Sequence, residues 1–405
     1  MIFQEEGQRI SRESIVGSQE SEVIGHWIQG SGLDVRGSRF EVGFRAKLNL
    51  AYWQLLFAVC RFTFDDLKKL TMEKEIDVQQ IPVGVVGLGL MGCSITACLL
   101  IAGHPVKAVA PVAVDMENAG SRIKNHLIKS QQEGMVKNSA ETYLANLTIS
   151  EDYGILKPCK LVIECTLENL DIKKTVYKKI EDVIATDAIL TSNTSAIPIS
   201  VLQNETRYPE RFFGLHWAEP SHTTRFLEVI CGAESEIEKA EYLYALSHYW
   251  GKEPTLVRKD IRGFISNRLM YAMYREAFYL VENGYASVED IDRACRNNAG
   301  YWMTLVGVFR WMDLTGVPAY HNVLKDLFPT LNNSTEIPKL IDDIVADGGR
   351  GVANAKGFYD YTPEEAKLWE ETFTEFSYEI RKLALKYPAD VVKKKLKKNA
   401  AGTGR

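Results

Sequence analysis

The sequence predicts an α/β protein, with a doubly wound, mostly parallel sheet followed by an all-helical C-terminal domain. Three observations predict it. Between residues 82 and 258, short runs rich in Val and Ile alternate with helix-length amphipathic stretches, the pattern of βαβ units. The first of these runs leads into PVGVVGLGLMGCSITACLLIAG, where Gly87, Gly89 and Gly92 stand between a strand and a helix. After Lys259 the apolar residues recur only at helical spacing.

Taken in order, Val83–Val86 reads as a buried strand, a helix runs from about Met91 to a stop at Gly103, and Val106–Ala110 is a second strand. The glycines have the G-x-G-x-x-G spacing of a Rossmann-type dinucleotide site: Gly87 for the tight turn, Gly89 for close approach to a pyrophosphate, Gly92 for helix–strand packing. The unpaired N–H groups and dipole of the following helix favour the phosphates. Residues 115–147 are charged and helical, and Gly134 divides them into a helical hairpin. Leu161–Glu164 is a strand, and Leu170–Ile184 an amphipathic helix with Lys173, Lys174, Lys178 and Lys179 on its outer face. Ala188–Ser192, Phe212–Trp217 and Arg225–Cys231 read as strands, Ile197–Gln203 and Glu236–Trp250 as helices. The second domain holds helices at Phe264–Asn283, Val288–Asn298, Ile337–Val345 and Pro363–Tyr387.

The predicted organisation is therefore an N-terminal extension over 1–79, a Rossmann domain over 80–258, a helical domain over 259–388 and a basic, frayed tail over 389–405. The extension matches no later pattern, and the functional chain is expected to start near Met72. The composition, 46% apolar and 25% charged, can fill a sizeable core. A formal charge of −5 supplies no basic field for nucleic acid. The longest apolar run, Leu48–Cys60, contains Asn49 and Gln54 and is too short to span a bilayer. Some forty residues precede it, unlike a secretory signal. The seven cysteines form no C-x-x-C pair and no zinc spacing, so no metal site is expected. They read as small buried hydrophobes in a reducing, cytoplasmic setting.

Hydride transfer from a secondary alcohol needs a base at the hydroxyl, and the base needs a partner that holds one tautomer. His216, closing the strand in RFFGLHWAEP, is the candidate base. Glu228, in FLEVI on the neighbouring strand, can reach its ring and stabilise the imidazolium. His222 is a rival six residues later, in a Pro/Ser/Thr-rich loop with no evident orienter.

These residues lie within a longer resemblance. GLGLMG, ECTLENLDIKK, TSNTSAIPIS, RFFGLHWAEP, FLEVI, KDIRGFISNRLMYA, EAFYLVENGYASVEDID and GFYDY follow one another between Ile81 and about Tyr361. In this order they resemble the 3-hydroxyacyl-CoA dehydrogenase family. The resemblance implies NAD as cofactor, an (S)-3-hydroxyacyl-CoA as substrate and a homodimer formed through the helical domain. It makes His216 the base and Glu228 its orienting partner, with Ser195 and Asn267 hydrogen-bonding the substrate oxygens. It places the cofactor on Gly87, Leu88, Gly89, Leu90, Met91 and Gly92, with Glu168, Lys173 and Asn193 on the nicotinamide side.

Four departures bear on substrate and cofactor. Ala110, followed by Pro111, stands where the family carries an acid for the adenosine ribose. Glu219 replaces an amide after the histidine and is expected to put a carboxylate beside the base. Arg262-Gly263-Phe264 replaces Pro-Gly-Phe, and WMTLVGVFRW replaces a P-M-G-P segment, where Trp302 and Trp311 offer flat apolar faces. Parts of the helical domain resemble instead the gulonate and carnitine dehydrogenases, which act on small hydroxy acids without CoA. Arg122, Lys129 and Lys137 are the cations available to a CoA. A third reading is a catalytically silent binding relative.

Overall fold

The computed structural model describes residues 76–402. The apolar run Leu48–Cys60, a helix within Leu48–Leu70 and a start near Met72 lie outside the described residues.

The strands are β1 (Val83–Val86), β2 (Val106–Val109), β3 (Leu147–Ser150), β4 (Leu161–Glu164), β5 (Ile189–Ser192), β6 (Phe212–Trp217), β7 (Leu227–Cys231) and β8 (Thr255–Val257). They form one sheet in the order β3-β2-β1-β4-β5-β6-β7-β8. Neighbours run parallel except β6 and β7, which pair antiparallel with His216 opposite Glu228. The central strands are buried on both faces, which is why they read as continuous apolar runs rather than alternating ones. Helix α1 (Leu90–Ala102) and helix α2 (Ala113–Gln132) cover one face, packing Ile95, Leu99 and Ile123 with Val83 and Val85. On the other face, Val176, Tyr177 and Ile180 pack with Val86, Val109 and Val162. The winding reverses between β1 and β4, and ligands of open α/β sheets bind outside the strand ends at such a reversal.

Two strands go beyond the sequence expectation. The second arm of the predicted hairpin shrinks to helix α3 (Ala140–Leu144) after the Gly134 turn, and LTIS then adds β3 to the sheet edge. At the other edge TLV supplies β8, a three-residue strand too short to show a period. The crossover helices are α4 (Leu170–Glu181), α5 (Ile199–Gln203) and α6 (Ile237–Tyr249).

The remaining helices are α7 (Ser266–Glu282), α8 (Val288–Ala294), α9 (Gly300–Met303), α10 (Val308–Thr315), α11 (Val317–Leu327), α12 (Lys339–Ala346), α13 (Pro363–Lys386) and α14 (Val391–Gly402), with a π-helical turn at Cys295–Ala299. Helix α13 starts on a capping box between Thr362 and Glu365 and returns to the first domain. There Arg381 Nη1 donates to the Gly251 carbonyl at 2.7 Å, and Arg225 Nη1 donates to that of Ala384 at 3.1 Å. The basic tail, expected to fray, is helical in α14. From Ile265 to Ala400 only Ala366 and Tyr378 are buried, a sparse core for so long a stretch.

Candidate active site

His216 and Glu228 meet because the β6–β7 register places them directly opposite each other. The Glu228 Oε2 lies 2.8 Å from His216 Nδ1. Its other oxygen accepts from the backbone N–H groups of Ile265 at 3.1 Å and Ser266 at 2.9 Å, and from Ser266 Oγ at 3.2 Å. These groups open helix α7, so the carboxylate also sits at a positive helix end. Burial opposes its charge, but the His216 ring and the Ser266 N–H outweigh burial and hold Glu228 below the ordinary carboxyl range. A Glu228 carboxylate fixes an Nδ1–H tautomer, leaving Nε2 as the ring's acceptor, and no described residue occupies it. The ring is flanked by Phe226 at 5.4 Å and Phe264 at 5.5 Å between centroids. Gly263 and Phe264 both have positive φ, 78° and 52°; in a buried phenylalanine that is a costly conformation, and it is what aims the next two N–H groups at Glu228.

A second network holds the loop ends of β4 and β5. Lys173 is completely buried, against the expectation of an outward face, because Glu164 at the end of β4 is buried beneath it. Lys173 Nζ lies 3.0 Å from both Glu164 oxygens and 3.5 Å from Glu168. Ser192, Tyr177 and Thr166 also donate to Glu164. Glu168 accepts from Thr194 Oγ1 and from the N–H groups of Ser195 and Ala196, both at 3.0 Å. Burial again opposes the charge, but Thr194 and Lys173 hold the Glu168 carboxyl low. Asn267 Nδ2 donates to the Ser195 carbonyl at 3.0 Å, bringing these two predicted residues together across the domains. Ser195 is exposed, and Thr194, not Ser195, caps the following turn by accepting from Ile197. Asn193 Oδ1 accepts from the Trp217 N–H at 3.0 Å, tying the ends of β5 and β6.

The glycine turn fits a dinucleotide. A Cβ on Gly87 would come 2.8 Å from the Cys165 carbonyl oxygen, and one on Gly92 would come 1.8 Å from that of Gly87. Nothing lies within 4 Å of a Cβ at Gly89, so the backbone there is open to a ligand. Helix α1 has no side-chain cap, which leaves its first N–H groups for phosphate oxygens. Leu88 is buried and Leu90 exposed, with Met91 between them in burial, so the turn offers backbone on its open side.

Three expectations change. Glu219 does not pair with His216: its Oε2 is buried with no hydrogen-bond partner among the described residues, and burial, outweighing the nearby Ser94 and Ser221 donors, pushes its carboxyl up. His222 does have orienters: Nδ1 lies 3.2 Å from Ser94 Oγ and Nε2 3.2 Å from Tyr378 Oη of α13. Both nitrogens are thus occupied, and burial, with His126 beside it, pushes His222 down to about 3, so it is a neutral strut rather than a base. Trp302 and Trp311 stack on each other, 5.2 Å apart with planes 3° from parallel, instead of presenting flat faces. Sequence patterns had not pointed to Phe226, Phe264, Ser266 or Thr194. A glycine just ahead of a helix, in RGFIS, was the available signal for the turn onto Glu228.

Comparisons with known proteins identify the family. Residues 82–261 match the family model described as the 3-hydroxyacyl-CoA dehydrogenase NAD binding domain, and residues 263–361 match its C-terminal domain. The 5-formyl-3-hydroxy-2-methylpyridine 4-carboxylate 5-dehydrogenase of Mesorhizobium japonicum is 32% identical over 288 residues, covering 70% of this chain and 92% of that protein. The human mitochondrial hydroxyacyl-coenzyme A dehydrogenase is 32% identical over 298 residues, covering 69% and 90%. A crystal structure of a 5-formyl-3-hydroxy-2-methylpyridine 4-carboxylic acid 5-dehydrogenase, described as an NAD+ dependent dismutase, superposes with a TM-score of 0.69 at 29% identity, over 75% of this chain and 97% of that one. With both family models matched in order along residues 82–361, this chain belongs to the 3-hydroxyacyl-CoA dehydrogenase family of NAD-dependent oxidoreductases.

Proposed function

We propose that the protein interconverts the 3-hydroxyl and 3-keto forms of an acyl substrate, with His216 as base and Glu228 as its orienting partner. The carrying observation is the 2.8 Å contact between His216 Nδ1 and Glu228, backed by the N-terminus of α7. Bound NAD supplies the hydride acceptor. His216 takes the hydroxyl proton at Nε2, and Glu228 stabilises the imidazolium that forms. The Ser195 hydroxyl and Asn267 amide, held side by side, hydrogen-bond the substrate oxygens. Gly87, Leu88, Gly89, Leu90, Met91 and Gly92 form the cofactor turn, and Asn193 and Glu168 border its nicotinamide end. Lys173, being buried, acts there through Glu168. Residues 80–258 serve as the NAD domain, 259–388 as the substrate and dimerisation domain, and 1–79 and 389–405 as appendages. The buried, unpaired thiols of Cys93, Cys98, Cys159 and Cys231 suit a reducing, cytoplasmic setting.

The substrate is proposed to be an (S)-3-hydroxyacyl-CoA. A compact hydroxy acid without CoA is the second reading, favoured by the pyridine-carboxylate dehydrogenase that this chain matches over 92% of that relative's length. Arg122, one of the cations available to CoA, is also drawn to Asp115 at 3.5 Å. Absorbance of NADH on mixing with acetoacetyl-CoA, beside free acetoacetate and with NADPH in parallel, separates the two. Oxidation with the thioester alone supports the first reading, and oxidation with free acids alone supports the second. A chain that binds dinucleotide but oxidises it with neither points to another polar hydroxy acid, and only a chain that binds no dinucleotide is the silent relative.

A homodimer is part of the proposal. Leu269, Tyr271, Phe309, Leu314, Phe328 and Phe373 are among the large apolar side chains exposed on the helical domain. A second copy would cover them. Sedimentation equilibrium is expected to return twice the 45.7 kDa chain mass at micromolar concentration; a monomer there would sink the dimer.

A further inference from the structure

We propose that Glu151, at the end of β3, is the residue that selects NAD over NADP in this chain, in the place of the acid that β2 lacks. The inference rests on the dinucleotide reading above and adds the residue that recognises the ribose.

In Rossmann folds an acid at the end of the second strand accepts hydrogen bonds from the adenosine ribose hydroxyls. Here that strand ends in Ala110, buried and with no side-chain acceptor. The neighbouring strand supplies one. Strands β2 and β3 pair with Val109 opposite Ser150, and the Ala110 N–H donates to the Ser150 carbonyl at 3.0 Å. The next residue, Glu151, therefore stands beside Ala110 at the same end of the sheet. Ala110 and Glu151 share one cleft of about 430 Å³ with Pro111, Asp152, Tyr153, Lys179 and Asp182. The cleft runs from the ends of β2 and β3, at Ala110 and Glu151, to the last turn of helix α4, at Lys179 and Asp182; in Rossmann folds the adenosine ribose is held at the end of the second strand.

Three acids line this cleft, and two are engaged. Asp152 caps the turn at Tyr153–Leu156 by accepting from the Gly154 N–H at 2.8 Å. Asp182 pairs with Arg207. Glu151 is exposed and has no partner among the described residues. A free carboxylate can accept from both vicinal hydroxyls of a ribose and repels a 2′-phosphate. The cation in the cleft, Lys179, lies over the Tyr153 ring at 5.4 Å, and Asp152 and Asp182 offset it.

The test is equilibrium binding of NADH and NADPH to the full chain, read by nicotinamide fluorescence, for the unaltered protein, Glu151→Gln, Ala110→Asp and the double variant. Glu151→Gln is expected to weaken NADH roughly 10-fold, the scale of one charge-assisted hydrogen bond, and to narrow the preference over NADPH. Ala110→Asp alone should bring no tightening, since the acceptor is already supplied. In the double variant the new aspartate should restore NADH affinity. Glu151→Gln binding NADH as the unaltered protein does, or an unaltered protein that prefers NADPH, would overturn the assignment and leave the proposed reaction standing. An unaltered protein that binds neither dinucleotide would overturn both.

Discussion

Replacing His216 by alanine is expected to lower turnover by roughly 10²–10⁴-fold, the range for loss of a general base, with NADH affinity nearly unchanged. The reason lies in how the ring is held. Its Nδ1 is bound by Glu228, Phe226 and Phe264 flank it, and Nε2 alone remains to exchange a proton with substrate. None of these contacts reaches the glycine turn, so cofactor binding should survive. Glu228→Gln is a sharper probe of the same geometry. A glutamine can keep an oxygen on the α7 N–H groups only by turning its amide N–H towards His216 Nδ1. That forces the proton onto Nε2, the wrong tautomer for a base, and turnover should fall on the same scale without loss of the fold. Steady-state kinetics with NADH fluorescence titration of each variant checks both statements. A His216→Ala protein within a fewfold of normal turnover would remove the histidine from the mechanism.

Lys173→Ala is expected to cost about 3–5 kcal/mol of stability, the range for breaking a buried ion pair by removing one partner. Glu164 would keep hydrogen bonds from Ser192, Tyr177 and Thr166, but its charge would have no counterion inside the protein. The sign with pH follows from burial. An unpaired buried carboxyl has its folded pKa raised above the unfolded one, so its penalty is full at neutral pH and shrinks as the pH falls into the carboxyl range. Glu164→Gln combined with Lys173→Met should recover part of the loss, because no lone charge remains. Urea unfolding of the unaltered protein and the two variants at pH 7 and pH 5 measures each of these effects. Equal stabilities for Lys173→Ala and the unaltered protein would mean that water reaches Glu164.

The sheet's centre and the contact between His216 and Glu228 were legible in the sequence for a common reason. Strand β1, buried on both faces, is apolar throughout, and a turn in which a Cβ would strike backbone must be glycine, so both leave marks that local reading can detect. His216 and Glu228 followed from the adjacency of two strands joined by a short loop. What escaped was set by distant partners. Lys173 has the helical position of an outward lysine, and only Glu164 at the end of another element turns that position inward. His222 acquired its orienters from Ser94 and Tyr378, residues 128 and 156 positions away. Strand β3 is half polar and has no fully buried residue, and β8 has only three residues, so neither leaves an apolar run; both exist because an edge was open to pair with. The sparse burial of the helical region has the same origin one level up, since the faces its periods mark as apolar find no cover among the described residues.

The two oxygens of Glu228 answer to different domains, one to a strand of the NAD domain and one to the first turn of α7. A displacement of α7 would strip two backbone N–H groups from the carboxylate and leave it with the imidazole alone. The proposed base is therefore fully held only while α7 is in place. The carboxylate thus ties the alignment of the His216 ring to the seating of α7 beside β7.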